Sequence, residues 1–385
     1  MITLNMARWI DRKIGRPICF LISILIKFRK RKIPDLNKVK KILIVKMFGF
    51  GTIILASPVF KIIKDNCADV KLYFLTLSQN KNLYDGSRYL DDIIYFDISS
   101  ITRCITSFIR IVAWLWKERC DVVFDFEIAS RATAIISFLS FKSLTVGYAP
   151  AGSGKDIFDV TIPYNESIHI TRIFLRSLDA VGFRIKNINL LELPITDTEK
   201  NNVNNFLFKN NITDFIVFNP NTSELAMERM WPLEYFASLA KKILNEYNNI
   251  KLILVGARED KERCEIVKDL IRDENKVFLT TGIFSIRETA FLLSKAKVFI
   301  SNDSGPLHLG VLAGVPTIGL FGPETPVLYG PLGEKHKTIS SGELCSPCIT
   351  TFKDKVVTCK KNAICMKKIT VEQVFDAVKE KIISG

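Results

Sequence analysis

The sequence predicts an α/β chain built on two parallel sheets, and three observations predict it. Short apolar runs alternate with helical stretches through both halves, as in a parallel sheet covered on both faces. The chain has 385 residues, 48% of them hydrophobic, which suits two domains of ordinary size. Residues 301–323, SNDSGPLHLGVLAGVPTIGLFGP, read as a tight turn, a short helix and a strand, directly after the buried run Ala296–Ile300.

The first α/β region opens at Lys41 with a strand over Ile42–Val45 and the glycine-bearing turn MFGFGT. A helix is expected from Ile53 to Lys64, with Pro58 as a kink. Val70–Leu75, Ile93–Phe96, Val122–Phe126 and Thr145–Gly147 read as strands. Helices are expected near Ile105–Glu118, Ala129–Leu139, Ile168–Ala180 and Thr196–Asn210, and a strand over Asn187–Leu193. In the second region the expected strands are Phe215–Phe218, Lys251–Val255, Val277–Leu279, Val298–Ile300 and Thr317–Leu320. The helices between them are Leu233–Tyr247, Asp260–Leu270 and Ser285–Ser294, and Thr370–Ile383 closes the chain. The expected organisation is a basic segment 1–40, a first domain 41–195, a second domain 196–369 and the closing helix 370–385. Two such sheets leave a cleft at their carboxyl ends.

The formal net charge is +14, and its distribution matters more than its size. Residues 1–41 hold twelve Lys or Arg against Asp11 and Asp35, so the remainder carries only +4. A charge gathered in one tail argues for an anionic surface and against a nucleic-acid partner. The run Pro17–Ile26 is too short to cross a bilayer and lacks a small-residue cleavage site. It reads as an interfacial helix, with Trp9 and Phe28 near the headgroups, in a segment 1–33 that meets the membrane surface. The alternative is a helix packed on the protein's own surface.

In 301–323, Asp303, Ser304 and Gly305 make the turn, Pro306 suits a first helical position, and Gly314 ends the helix. Backbone N–H groups at such a helix start favour an anion, here a diphosphate. The amides from Gly305 through Leu307 to His308, the Ser304 hydroxyl and the His308 ring are candidate donors. Asp303, a like charge, suits a turn or a ribose contact better than phosphate.

Three blocks carry a resemblance. They are Asp303–Pro323, NPNTSELAMERMWPLEYFASLA at Asn219–Ala240, and KILIVKMFGFGTIILASPVFKIIK at Lys41–Lys64. Together they resemble the bacterial lipopolysaccharide heptosyltransferases, glycosyltransferase family 9, over roughly residues 40–375. The resemblance implies a GT-B type fold of two Rossmann-like domains. It implies inverting transfer from a nucleotide-activated sugar to a lipopolysaccharide or other surface glycan, with no cofactor required. The basic tail, and a size that needs few disulfides, point to a cytoplasmic enzyme, peripheral on the inner face of the bacterial inner membrane. On this resemblance and on strand-end position, Asn219, Thr222 and Arg229 go to the diphosphate or transferred sugar. Gly256, Glu259, Asp260, Thr281, Gly282 and Asp303 go to the nucleoside, and Trp231 packs the domain.

The family pattern breaks in the first loop. Where these enzymes carry an aspartate after the loop glycine, this chain has Thr52 after Gly51. A threonine hydroxyl cannot serve as a carboxylate base, so Gly51 and Thr52 are assigned to acceptor binding. The replacement base is sought in DFEIASR, where Asp125 and Glu127 follow a buried strand. The competing reading is a helix cap with acidic residues near the dipole. Arg131 either binds an anionic acceptor or pairs with these carboxylates, and Lys155 of AGSGKD is an acceptor candidate. That hexapeptide lacks the leading glycine and trailing Ser or Thr of a P-loop.

Of nine cysteines, Cys345, Cys348, Cys359 and Cys365 form Cys-x2-Cys-x10-Cys-x5-Cys. That spacing can make a structural zinc site. Basic neighbours such as Lys360 and Lys361 would lower thiol pKa there. Reduced thiols or one or two disulfides are the alternatives. Two other function classes fit a two-domain cleft: a nucleotide-sugar epimerase, and a noncatalytic nucleotide-sugar binding protein.

Overall fold

The computed structural model describes residues 11–29, 31–128, 130–149, 157–186, 188–350 and 359–383. Two compact units are formed, Met1–Leu191 and Glu192–Gly385.

In the first unit the element order is α1 Gly15–Phe28, β1 Lys41–Val45, α2 Phe50–Ala56, α3 Pro58–Asn66, β2 Lys71–Leu77 and β3 Asp92–Phe96. Then follow α4 Ile101–Glu118, β4 Val122–Asp125, α5 Arg131–Phe138, β5 Leu144–Tyr148, β6 Val160–Ile162 and α6 Ile170–Asp179. The six strands lie in the order β3-β2-β1-β4-β5-β6. Every pairing is parallel. β1 and β4 are apolar throughout their inner positions, as strands covered on both faces must be. α4 starts because the Ser100 hydroxyl accepts from the Arg103 amide. The helix expected over 53–64 is two helices, broken at Ser57, with Pro58 opening the second.

The second unit runs α7 Asp197–Lys209, β7 Phe215–Asn219, α8 Leu233–Glu246, β8 Lys251–Leu254, α9 Lys261–Ile271, β9 Val277–Leu279 and α10 Ile286–Ser294. It continues with β10 Phe299–Asn302, α11 Gly305–Ala313, β11 Thr317–Phe321, α12 Pro326–Tyr329, β12 Lys337–Ser340, α13 Ile364–Lys367 and α14 Val371–Ile383. Its sheet order is β12-β11-β10-β7-β8-β9, again parallel. Capping boxes at Thr196–Glu199 and Ser285–Glu288 start α7 and α10. Trp231 is fully buried in the core and donates its indole N–H to the Ile369 carbonyl at 2.9 Å.

The expected strand at 187–193 is not formed by the described residues 188–193. The Leu191 amide donates instead to the Ser57 hydroxyl at 2.8 Å, while the Leu191 side chain is buried. β6, β12, α12 and α13 are additions that the sequence pattern did not announce. β6 and β12 are short edge strands with little alternation to read.

Both sheets reverse direction at an internal pair. β1 leads to β2 on one side while β4 leads to β5 on the other; β7 and β10 do the same in the second unit. In open parallel sheets the crevice outside such a pair is where ligands bind.

Candidate functional site

In the first unit this crevice is framed by the loops after Val45 and Asp125, which stand opposite one another in the β1–β4 register. Lys46 is buried there, and its ammonium lies 2.6 Å from Glu127 Oε1. The same oxygen accepts the Met47 and Phe48 amides, each at 2.8 Å. Lys46 also donates to the Phe48 carbonyl at 2.7 Å. One carboxylate oxygen therefore gathers an ammonium and two amides into a charge-assisted clamp that shapes residues 46–48. Glu127 was expected as the base, and its Oε1 is committed to the loop. Sequence reasoning missed Lys46; the available signal was a lysine ending an otherwise apolar strand.

Asp125, the other carboxylate expected there, is engaged at both oxygens. It has no solvent exposure, and its Oδ1 accepts the Glu127 amide at 3.0 Å while Oδ2 accepts the Ser137 hydroxyl at 3.2 Å. Burial pushes its carboxyl up to about 7, against backbone and side-chain hydrogen bonds that pull the other way. β4 ends at Asp125, so the two carboxylates do not project alike from a continuing strand. Asp125 fastens the turn beneath Glu127.

Gly49, with φ of 75°, turns the chain into α2, a conformation that favours glycine. Gly51 is buried in the first turn. The Thr52 hydroxyl donates toward the Gly49 carbonyl at 2.7 Å and the Phe48 carbonyl at 3.1 Å, which leaves its oxygen lone pairs as acceptors. Arg131 pairs with Asp11, not with Asp125 or Glu127. Its guanidinium lies 3.0 Å from Asp11 Oδ2, and Asp11 Oδ1 accepts the Arg131 and Ala132 amides. Arg131 is buried by this contact and is a latch for the tail. Lys155 and Trp9 lie outside the described residues.

In the second crevice the clamp between strand-end loops is made of neutral groups. Asn219 ends β7 and its Nδ2 donates to the hydroxyls of Ser301 and Ser304, each at 2.9 Å. Asn221 Nδ2 donates to Asn219 Oδ1 at 3.3 Å and to the Val255 carbonyl at 3.0 Å. Asn302 Oδ1 accepts the Trp231 amide at 3.0 Å, and Asn302 Nδ2 reaches the Asn221 carbonyl at 3.4 Å. These amides lock the loops after β7, β8 and β10 to one another. Asn221, Ser301 and Asn302 were not singled out in the sequence, although Asn221 lies between two residues that were. The Thr222 hydroxyl is buried without a hydrogen-bond partner among the described residues.

Ser304 caps α11 in an extended conformation, with no side-chain bond to the helix. Ser304, Gly305 and Pro306 are partly exposed at the mouth. Two expectations narrow here. Pro306 has no N–H, and the Leu307 amide already bonds the Ser304 carbonyl at 3.1 Å with its side chain fully buried. The Gly305 amide is the one at the partly exposed mouth. His308 is buried. α11 lies close against the sheet: a Cβ on Gly310 would meet Phe299 Cδ1 within 2.4 Å.

Arg229 stands between two buried carboxylates, 3.4 Å from Asp303 Oδ2 and 3.6 Å from Glu324 Oε2. Asp303 is thus an ion-pair partner of Arg229, and Glu324 is a member of this group that the sequence did not mark. At the ends of β8 and β9, Gly256 and Gly282 approach, the Gly282 amide donating to the Gly256 carbonyl at 3.1 Å. A Cβ on Gly256 would sit 2.7 Å from Asn221 Nδ2 and 3.1 Å from Thr281 Cγ2. Asp260 is engaged at both oxygens, by the Ala257 amide and Arg263, and burial raises its carboxyl. Glu259 is the exposed carboxylate beside it.

The four late cysteines are free thiols. Among the described residues no group of three or more His, Cys, Asp or Glu is arranged to hold a metal ion. Nor do lysines dominate their chemistry: burial raises Cys348 and pushes Cys365 up to about 11, with neighbouring thiols adding to both. The residues as placed do not fit the expected zinc site.

The geometry can be set beside known proteins. Lipopolysaccharide heptosyltransferase 2 of Salmonella typhimurium is 26% identical over 119 residues, covering 30% of this chain and 34% of its own length. Lipooligosaccharide heptosyltransferase 2 of Campylobacter jejuni is 24% identical over 337 residues, covering 86% of this chain and 94% of that protein. In structure, a family 9 glycosyl transferase from Veillonella parvula superposes with a TM-score of 0.76 at 20% identity, covering 92% of this chain and all of that one. That likeness establishes the two-unit GT-B type fold. The model for glycosyltransferase family 9 (heptosyltransferase) matches residues 118–356, more than half of the chain, and the chain belongs to that family.

Proposed function

We propose that this glycosyltransferase moves a sugar, with inversion, from a nucleotide diphosphate sugar such as ADP-heptose to a lipopolysaccharide or related surface-glycan acceptor. One observation carries the reading: the neutral amide and hydroxyl clamp around Asn219 and Ser304, beside the Gly305 amide and the buried, unpartnered Thr222 hydroxyl. Such a crevice offers hydrogen-bond donors to phosphate without a competing carboxylate in the clamp.

In this reading the second unit binds the donor. Gly305, Ser304 and Thr222 hold the diphosphate, the Ser304 hydroxyl turning its hydrogen from the Asn302 carbonyl, 3.2 Å away, to the ligand; Asn219 orients Ser304, and Arg229, steadied by Asp303 and Glu324, supplies positive charge as the leaving group develops negative charge. The close pair Gly256–Gly282, with Thr281, admits the flat nucleoside, and Glu259 meets ribose hydroxyls. The first unit binds the acceptor through the loop at Gly51 and Thr52, where the threonine oxygen accepts from an acceptor hydroxyl. Lys46 and Glu127 are positioning residues that fix this loop. The enzyme works at the cytoplasmic face of the bacterial inner membrane, held through residues 1–33. Among the described residues no helix is long and apolar enough to cross a membrane.

Calorimetry with a panel of sugar nucleotides, followed by product analysis on labelled lipid acceptors, tests this. A Ser304→Ala enzyme should bind the preferred donor roughly 3- to 10-fold more weakly, the loss of one hydrogen bond. Equal affinity in the variant, or no donor affinity in the native enzyme, would overturn the assignment.

A further inference from the structure

α4 buries Ser107, Ile111 and Leu115 on the first sheet. Along the flank of that seam run Ile101, Ile105, Ile109 and Trp116, at helical spacing and each more than half exposed. Trp116 shows which flank this is. Its indole N–H donates to the Leu139 carbonyl, just past α5, at 2.9 Å, and its ring lies 6.0 Å from that of Phe141, itself half exposed. Phe141 meets Phe138 at 6.3 Å. Arg29, at the end of α1, sits over the Phe138 ring and donates to the Phe138 and Ser143 carbonyls. α4, the α5–β5 turn and α1 therefore share one helical layer of one unit.

α1 turns Cys19, Ile22 and Ile26 inward, where Cys19 and Ile22 pack in one core with Ala134, Ile157 and Phe158. This is the self-packed helix considered above as an alternative. Its outer side nevertheless leaves Phe20, Leu21, Ile24, Leu25 and Phe28 exposed. Exposed Arg12, Lys13, Arg16, Lys27 and Lys32 flank that side. Around α4 the exposed cations are Arg103, which pairs with Asp97 at 3.5 Å, Arg110, which also donates to the Tyr95 carbonyl at 2.7 Å, Lys117 and Arg119, with Lys142 beside Phe141. Acidic charge is nearly absent from the two helices: α1 has none, and Glu118 of α4 is paired with Lys41. Single exposed apolar residues need no explanation, but two rows ringed by cations do.

We infer that the whole layer is a membrane face, and that the α4 stripe with Phe141 is a second contact beside α1. Its occupant is a bilayer containing anionic lipid. The apolar rows enter the headgroup region while the surrounding Lys and Arg pair with lipid phosphate. The inference rests on the peripheral-membrane reading and adds a contact that the basic tail does not contain. With both contacts engaged, the first unit has a fixed orientation on the bilayer.

The test is flotation of the full chain with vesicles of phosphatidylglycerol and phosphatidylethanolamine, with phosphatidylcholine vesicles as control. The compared variants are Ile105→Glu with Ile109→Glu in α4, and Leu21→Glu with Leu25→Glu in α1. Thermal melting reports folding, and Ile105→Ser with Ile109→Ser serves if the glutamates perturb it. The α4 pair should lower the bound fraction on anionic vesicles about tenfold with an unchanged melting temperature. Native-like binding by the α4 pair, with loss in the α1 pair, would overturn the second contact and leave the tail reading intact. No binding by the native chain would overturn both. Loss of self-association in the α4 pair without loss of vesicle binding would make a second copy the occupant and overturn the inference.

Discussion

The two crevices are the same device in topology and differ in the groups that hold their loops together. At the β1–β4 pair a carboxylate, Glu127, gathers an ammonium and two amides. At the β7–β10 pair the same task of holding strand-end loops falls to asparagines and serines. A neutral clamp leaves a site open to an anion, whereas a charged clamp uses its carboxylate internally. The difference teaches that a strand-end carboxylate can shape a loop: Glu127 Oε1 and both oxygens of Asp125 hold the turn at the end of β4.

The largest effect that can break this comparison is Glu127→Ala. It would leave Lys46 buried without its carboxylate, and unfolding free energy should fall by about 3–5 kcal/mol in denaturant titration. Adding Lys46→Ala should recover part of that loss, because the stranded charge is then gone. A base that acts on substrate would show no such rescue, and a Glu127→Ala enzyme of native stability with lost turnover would restore Glu127 to the chemistry.

Next in size is a swap of character in the other clamp. Asn219→Asp puts a negative charge beside Ser304, and donor affinity should fall about tenfold, ~1.4 kcal/mol. Affinity that does not change would mean that the diphosphate binds elsewhere.

The first crevice also carries a pH dependence. The folded protein holds the Asp125 carboxyl raised to about 7, above its unfolded value. A raised group stabilises fully below its unfolded value, and that contribution is lost as pH rises through the folded one. Native protein should therefore lose stability relative to Asp125→Asn between about pH 4 and 7. Melting curves of the two proteins across this range check the sign; parallel curves would mean that the carboxyl is not held protonated.

The strand–helix alternation, the glycine turn at Gly49 and the helix start at Ser304 were legible because each rests on neighbours in sequence. The clamps were not. Lys46 and Glu127 lie 81 residues apart, and Asn219 and Ser304 lie 85 apart. No local pattern says that a lysine ending a strand will be buried against a distant carboxylate. The partner of Arg131 was hidden for the same reason, since Asp11 belongs to a tail that composition alone marks as solvent- or membrane-facing. The run 188–193 has strand-like apolar residues, but its Leu191 amide finds a serine hydroxyl instead of a neighbouring strand. The cysteine spacing was legible too, and spacing was not enough to make a donor set.

The Asp11 latch has a practical corollary for anyone trimming the basic tail. Cutting the chain just before Gly15 would strip two amides and one guanidinium of their shared acceptor and leave α1 untethered at its leading end. A shortened protein that precipitates would then report a lost fastening, and its behaviour would say nothing about whether the missing residues had ever met lipid.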